Sequence, residues 1–126
     1  MANIPHALLA LALMTFAVPV SAQQPGAAAP EAYFIAEFAI KDRAAMQPYR
    51  AHVAETFAPF SGRFVARGGK TVSLEGPALN GNIVVIHFDS LAQAQAWYTS
   101  PAYAPLKAIR HGAAVTRAYI VTAGPE

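Results

Sequence analysis

The chain has 126 residues, nine Lys/Arg against seven Asp/Glu, a formal charge of +2 and no cysteine. That length is enough for one domain. The missing thiols exclude disulfides, zinc–thiolate centres and thiol nucleophiles, and the mild, unclustered basic balance lacks the aromatic and basic alternation of a nucleic-acid surface.

Met1 to Ala22 reads as a secretory signal peptide. An apolar run from Ala7 to Val18 is followed by Val20-Ser21-Ala22 ahead of Gln23, and such a run is shorter than the roughly 18 apolar residues a membrane span needs. The expected location is secreted or periplasmic, with cleavage after Ala22 and no membrane association afterwards. The head carries no Lys or Arg, so an uncleaved anchor or amphipathic tail is the competing reading. Residues 23–31 (QQPGAAAPE) are a Pro/Gly/Ala-rich flexible spacer. The folded domain is placed at 32–124. With no disulfide it must be stabilised by its core or by a partner subunit.

Tyr33 to Ile40 alternates Phe34, Ala36, Phe38 and Ile40 with Tyr33, Ile35, Glu37 and Ala39. Apolar on both sides, it belongs mid-sheet. Asp42 can cap a loose turn, and Met46, Tyr49, Val53, Phe57 and Phe60 then recur at helical spacing. Pro48 delays the regular helix to about Gln47. Arg63 to Arg67 is the second strand, with a bulge or bend expected at Gly68-Gly69 and a continuation through Thr71 to Glu75. Ile83 to Phe88 is the third strand. Ser90 and Gln93 form a capping box, with Leu91, Ala94 and either Trp97 or Tyr98 on one face. Ser100-Pro101 restarts the helix, and Tyr103, Leu106, Ile109 and Arg110 follow as far as a stop at Gly112. Ala113 to Thr122 is the fourth strand.

The order β-α-β-β-α-β implies an α+β, ferredoxin-like sandwich: a four-stranded antiparallel sheet with helices on one face and the first and third strands central. Phe34, Phe38, Phe64, Val84, Ile86 and Phe88 take the covered side. Tyr33, Ile35, Glu37, Arg63, Val65, Arg67, Val85, His87, Arg117, Tyr119 and Val121 then share the open face. In the plainer reading these charges are solvated or paired, Glu37 with Arg67 or Arg117. In the sharper one, greasy and ionic groups mixed on one face are covered by a second copy. The resulting homodimer encloses a pocket lined by Glu37, His87, Arg67 and Tyr119.

No His-x-His, His-x-x-x-His or Glu-x-x-His spacing supports a metal, no Gly-x-Ser-x-Gly elbow supports a hydrolase, and no cofactor is expected. His52 and His111 read as solvent-facing. Trp97, Tyr98 and Tyr103 read as core before ligand platform.

The run Ser61-Gly62-Arg63-Phe64-Val65-Ala66-Arg67-Gly68-Gly69, then Glu75-Gly76, Val84-Val85-Ile86-His87-Phe88, and Ala96-Trp97-Tyr98-Thr99-Ser100-Pro101-Ala102-Tyr103 with Arg110, resembles the domain-of-unknown-function family 1330. That family lies within the dimeric α/β-barrel, ferredoxin-like superfamily. The resemblance covers about Tyr33 to Gly124 and implies a homodimer with facing sheets. His87 stands where the family usually has glutamate, and Ser61-Gly62 where it has two glycines. The wider superfamily includes cofactor-free monooxygenases, small-lactone isomerases and haem-binding enzymes, a likeness of fold that does not fix function.

Three functions follow as expectations. The first is a dimeric domain binding a small anionic or aromatic molecule between its sheets. There Arg67 and Arg117 hold charge, His87 and Tyr119 orient the ligand, and Trp97 and Tyr103 stand as further contacts. The second is a metal-free enzyme with His87 as general base, Glu37 setting its tautomer and Arg67 stabilising an enolate-like anion. The third is a purely structural dimer.

Overall fold

The structure is a computed structural model that describes residues 28–124. The expected signal peptide and most of the spacer lie outside the described residues. Strands β1 (Ala32–Ile40), β2 (Arg63–Arg67), β3 (Asn82–Phe88) and β4 (Ala114–Thr122) form one sheet in the order β2-β3-β1-β4. Every pairing is antiparallel. The first and third strands are therefore central, as the connectivity demands. Three helices, α1 (Gln47–Phe57), α2 (Leu91–Tyr98) and α3 (Ala104–Ala113), supply the second layer.

Period two on β1 produces the core. Ala32, Phe34, Ala36 and Phe38 are buried while Tyr33, Ile35 and Glu37 are half-exposed on the other face. Helix α1 completes that core with Tyr49, Val53 and Phe57, joined by Met46 just ahead of it, each buried. A loose turn precedes the helix, as Pro48 requires, and Asp42 Oδ1 caps that turn by accepting from Ala45 N at 2.9 Å, while α1 itself has no side-chain cap. On α2, Ser90 Oγ accepts from Gln93 N at 3.2 Å, the expected half of the capping box. Of the proposed inner face, Ala94 and Trp97 are buried but Leu91 is exposed. An eight-residue helix has room for only one inward turn.

Trp97 is the centre of packing. Its ring centroid lies 4.2 Å from that of Tyr103, 5.1 Å from Phe34 and 5.4 Å from Phe88. Its Nε1 donates to Thr56 Oγ1 at 3.0 Å. The indole thus satisfies its one polar atom inside the core, as a buried tryptophan requires.

Three sequence expectations need correction. The helix restarts at Ala104 rather than Pro101, because Ser100 Oγ caps a separate turn by accepting from Tyr103 N at 3.3 Å. Gly112 lies inside the last turn of α3 and does not end it. No strand resumes through Thr71 to Glu75, where the chain forms a loop.

Ser61 adopts a left-handed backbone, φ 64°, in the turn before β2. A side chain there costs on the order of 1 kcal/mol. The hydroxyl offsets this by accepting from Asp89 N at 3.0 Å, which ties the turn to the end of β3.

Candidate functional site

Strand register decides which predicted site residues meet. Tyr33 pairs with His87, and Arg63 pairs with His87 from the other side. Ile35 lies between Val85 and Tyr119, and Glu37 between Ile83 and Arg117. Glu37, His87, Arg117 and Tyr119 therefore do share the open face.

Arg67 does not. A β-bulge falls between Phe64 and Ala66, so Ala66 pairs with Val85 and Arg67 with Val84. The irregularity was expected at Gly68-Gly69; three residues earlier, it turns the end of β2 over. Arg67 stands on the helix side, with its guanidinium carbon 4.6 Å from the Phe64 ring centroid and its Nη2 donating to Arg50 O at 2.8 Å.

The proposed Glu37–His87 partnership also fails. Four residues of β1 separate their pairing positions, about 13 Å at strand rise. Glu37 instead accepts from Arg117 Nη2 at 2.8 Å. That exposed pair is worth at most about 1 kcal/mol. His87 is only 2% exposed. The edge of its ring meets Tyr33, with centroids 5.3 Å apart, and its Nε2 lies 3.3 Å from Glu31 Oε2 without forming a well-aligned hydrogen bond. The same carboxylate oxygen accepts from the Tyr33 hydroxyl at 3.3 Å. No group in this arrangement sets the histidine tautomer, and a single subunit gives a substrate no route to the ring. Composition puts Glu31 at the end of the spacer. Period two run back from Tyr33 would have placed it on this face.

Trp97 and Tyr103 are both fully buried, core residues rather than exposed ligand platforms. Tyr103 belongs to a second polar cluster beneath the helices. Its hydroxyl lies 3.2 Å from that of Tyr49, and burial pushes both phenols above the ordinary tyrosine value. Arg110, on α3, is packed among them.

A cavity opens on the helix side, between α1 and the sheet. It is a cleft of about 340 Å³. Phe38, Ile40, Met46, Tyr49, Val53, Phe64, Val84 and Ile86 form its walls, with Arg50, Arg67, Gly68 and Asn82 completing the lining. The sequence marks the wall residues as core, and only the bulge brings Arg67 to them. Among the described residues no group of His, Asp or Glu side chains could hold a metal ion, and no helix is long and apolar enough to cross a membrane.

Residues 31–124 match the family described as domain of unknown function (DUF1330). No curated protein matches the chain. Among solved structures it is similar to RPA0582, a protein of unknown function from Rhodopseudomonas palustris. The TM-score is 0.61 at 17% identity, over 77% of this chain and 85% of that one. It is also similar to SnoaB, a cofactor-independent oxygenase from Streptomyces nogalater. Here the TM-score is 0.55 at 19% identity, over 78% of this chain and 97% of the other. At such identities the likeness is one of fold, the ferredoxin-like α+β sandwich.

Proposed function

The chain belongs to the family of the domain of unknown function (DUF1330), and from that premise we propose that it is an exported, homodimeric binder of a small, mostly apolar molecule. The ligand sits in the cleft beneath α1, and a second copy covers the open face of the sheet. The observation that carries the binding function is the cleft itself. Its volume of about 340 Å³ lies at the lower end of small-molecule sites, with apolar walls and few polar groups. Arg67 is retained as a ligand-facing residue, but of this cleft rather than of a pocket between sheets.

The expected test uses 1-naphthamide as a neutral aromatic probe in titration calorimetry. Ile40 is half-buried on the cleft wall, so Ile40→Trp fills the space with little disturbance of the deeper core. Affinity for the probe falls at least about tenfold while thermal stability stays near that of the parent. No binding to the parent chain, or equal binding to both, would refute the cleft as the site.

The self-association rests on the open face. Val115, Tyr119 and Val121 are exposed large apolar side chains on it, Val115 at 57%. The ionic groups among them are partly neutralised already by the Glu37–Arg117 pair. Tyr119→Asp puts an unpaired charge into such an interface, and the dimer dissociation constant should rise about 100-fold or more in sedimentation equilibrium. A parent chain that sediments as a single subunit at every concentration would rule the dimer out.

A further inference from the structure

The rim of the cleft is cationic. Arg50, on α1, and Arg67, at the end of β2, both line it and are both exposed, whereas Tyr49, Val53 and Ile86 on its walls are buried. No Asp or Glu stands among the lining residues. No carboxylate pairs with either arginine among the described residues, where the ion pairs are His52–Glu55, His87–Glu31 and Arg117–Glu37. Arg67 reaches the rim only through the bulge between Phe64 and Ala66; in a regular strand it would share the open face with Arg63. It is also held in place there. Its guanidinium carbon lies 4.6 Å from the Phe64 ring centroid, and its Nη2 donates to Arg50 O at 2.8 Å. Nη2 carries two hydrogens, one on each two-donor edge of the guanidinium. Whichever of them Arg50 O takes, the other edge keeps both its donors, and one such edge matches the two oxygens of a carboxylate.

We propose that Arg67, with Arg50 beside it, anchors an anionic head at the mouth of this cleft, so that the ligand is a small carboxylate with an aromatic or aliphatic body. This rests on the cleft being the binding site and adds the chemical class of what it binds. The body lies inward, against the apolar walls. The head stays at the mouth, where it keeps part of its hydration and avoids the cost of burying a charge. It accepts two parallel N–H bonds from the open edge of Arg67, and Arg50 adds a second positive charge at the same opening. A neutral molecule of the same shape gains only the walls, and a cation is repelled. Because Phe64 and Arg50 O already order Arg67, little rotamer freedom is lost when the anion arrives.

The test compares 1-naphthoate with its neutral isostere 1-naphthamide and with the cation 1-naphthylmethylammonium. The parent chain should bind naphthoate at least about tenfold more tightly than naphthamide, and the cation most weakly. Arg67→Met keeps an apolar stem over Phe64 but removes the fork, and should reduce the naphthoate preference to about threefold or less. Arg63→Met is the control. It removes the same charge from the same strand, but Arg63 pairs with His87 on the open face, so the preference should stay as in the parent. The side-chain Nε–H resonance of Arg67 gives a readout in the unmodified protein, and naphthoate should move it more than naphthamide does. If naphthoate and naphthamide bind the parent equally, the cleft stands and the anchor falls; if neither binds, the cleft falls as well. A preference that survives in Arg67→Met, or that Arg63→Met lowers as much, overturns the assignment. So does an Arg67 resonance unmoved by saturating naphthoate, whether or not the variants fold.

Discussion

Trp97→Ala should cost about 3–5 kcal/mol of folding stability, a large part of what a domain of this size has. The ring is fully buried and lies within about 6 Å, centroid to centroid, of Phe34, Phe57, Phe88, Tyr98 and Tyr103. These neighbours come from α1, β1, β3, α2 and the turn before α3, so no single element can relax into the hole. Thr56 is affected too. Its hydroxyl donates to Val53 O at 2.6 Å and accepts from the indole at 3.0 Å, and without the indole that accepting site stays buried and empty. Trp97→Phe keeps most of the ring volume and should cost less, about 1–3 kcal/mol, chiefly through the lost hydrogen bond and the smaller ring. At about 4–8 °C per kcal/mol for a domain near this length, the alanine variant should melt more than 10 °C below the parent. A shift of only a few degrees in thermal unfolding followed by circular dichroism would mean that the core does not centre on this residue.

The apolar framework was legible because period two and period 3.6 leave large, redundant signals. Phe34 and Phe38, Tyr49 and Val53, and Ile86 and Phe88 all fall where alternation or helical spacing places them. The strand order β2-β3-β1-β4 followed from connectivity. What could not be read was a one-residue event. A bulge after Phe64 leaves no mark in composition, since Val65 and Ala66 suit either side of a sheet, yet it moves Arg67 to the opposite face. The pairing of Glu37 with His87 failed because sharing a face says nothing about distance along it. Helical spacing puts Arg110 two turns beyond Tyr103, but that its Nη2 meets the Tyr98 hydroxyl and His111 while Nε and Nη1 have no hydrogen-bond partner is a three-dimensional fact: spacing shows which turn of α3 it occupies, not which of its five donors are met. The cleft was hidden for a related reason. Its walls are ordinary core residues, and sequence marks them as apolar without showing that they stop short of one another.

Gly81→Ala should destabilise the fold by about 3 kcal/mol, through backbone strain combined with a collision. Gly81 has φ 125°, a conformation that an L side chain rarely adopts, and a Cβ built there would sit 2.0 Å from Phe38 O and 2.9 Å from Ala39 N. Those atoms belong to β1, one of the two central strands, which is bonded on both sides and cannot retreat without breaking a ladder. Gly76 provides the control. It also has a positive φ, 74°, but nothing lies within 4 Å of its added Cβ, so Gly76→Ala should cost only about 1 kcal/mol of left-handed strain. The difference between the two variants in urea unfolding therefore isolates the close approach from the backbone cost. The cleft should report the same difference, because Phe38 and Asn82 line it and a displaced β1 changes its width. Gly81→Ala should weaken 1-naphthamide binding where Gly76→Ala leaves it unchanged. If both variants unfold at the same urea concentration, the Gly81 backbone does not pack against β1 as closely as described, and the inner end of the cleft would have to be redrawn.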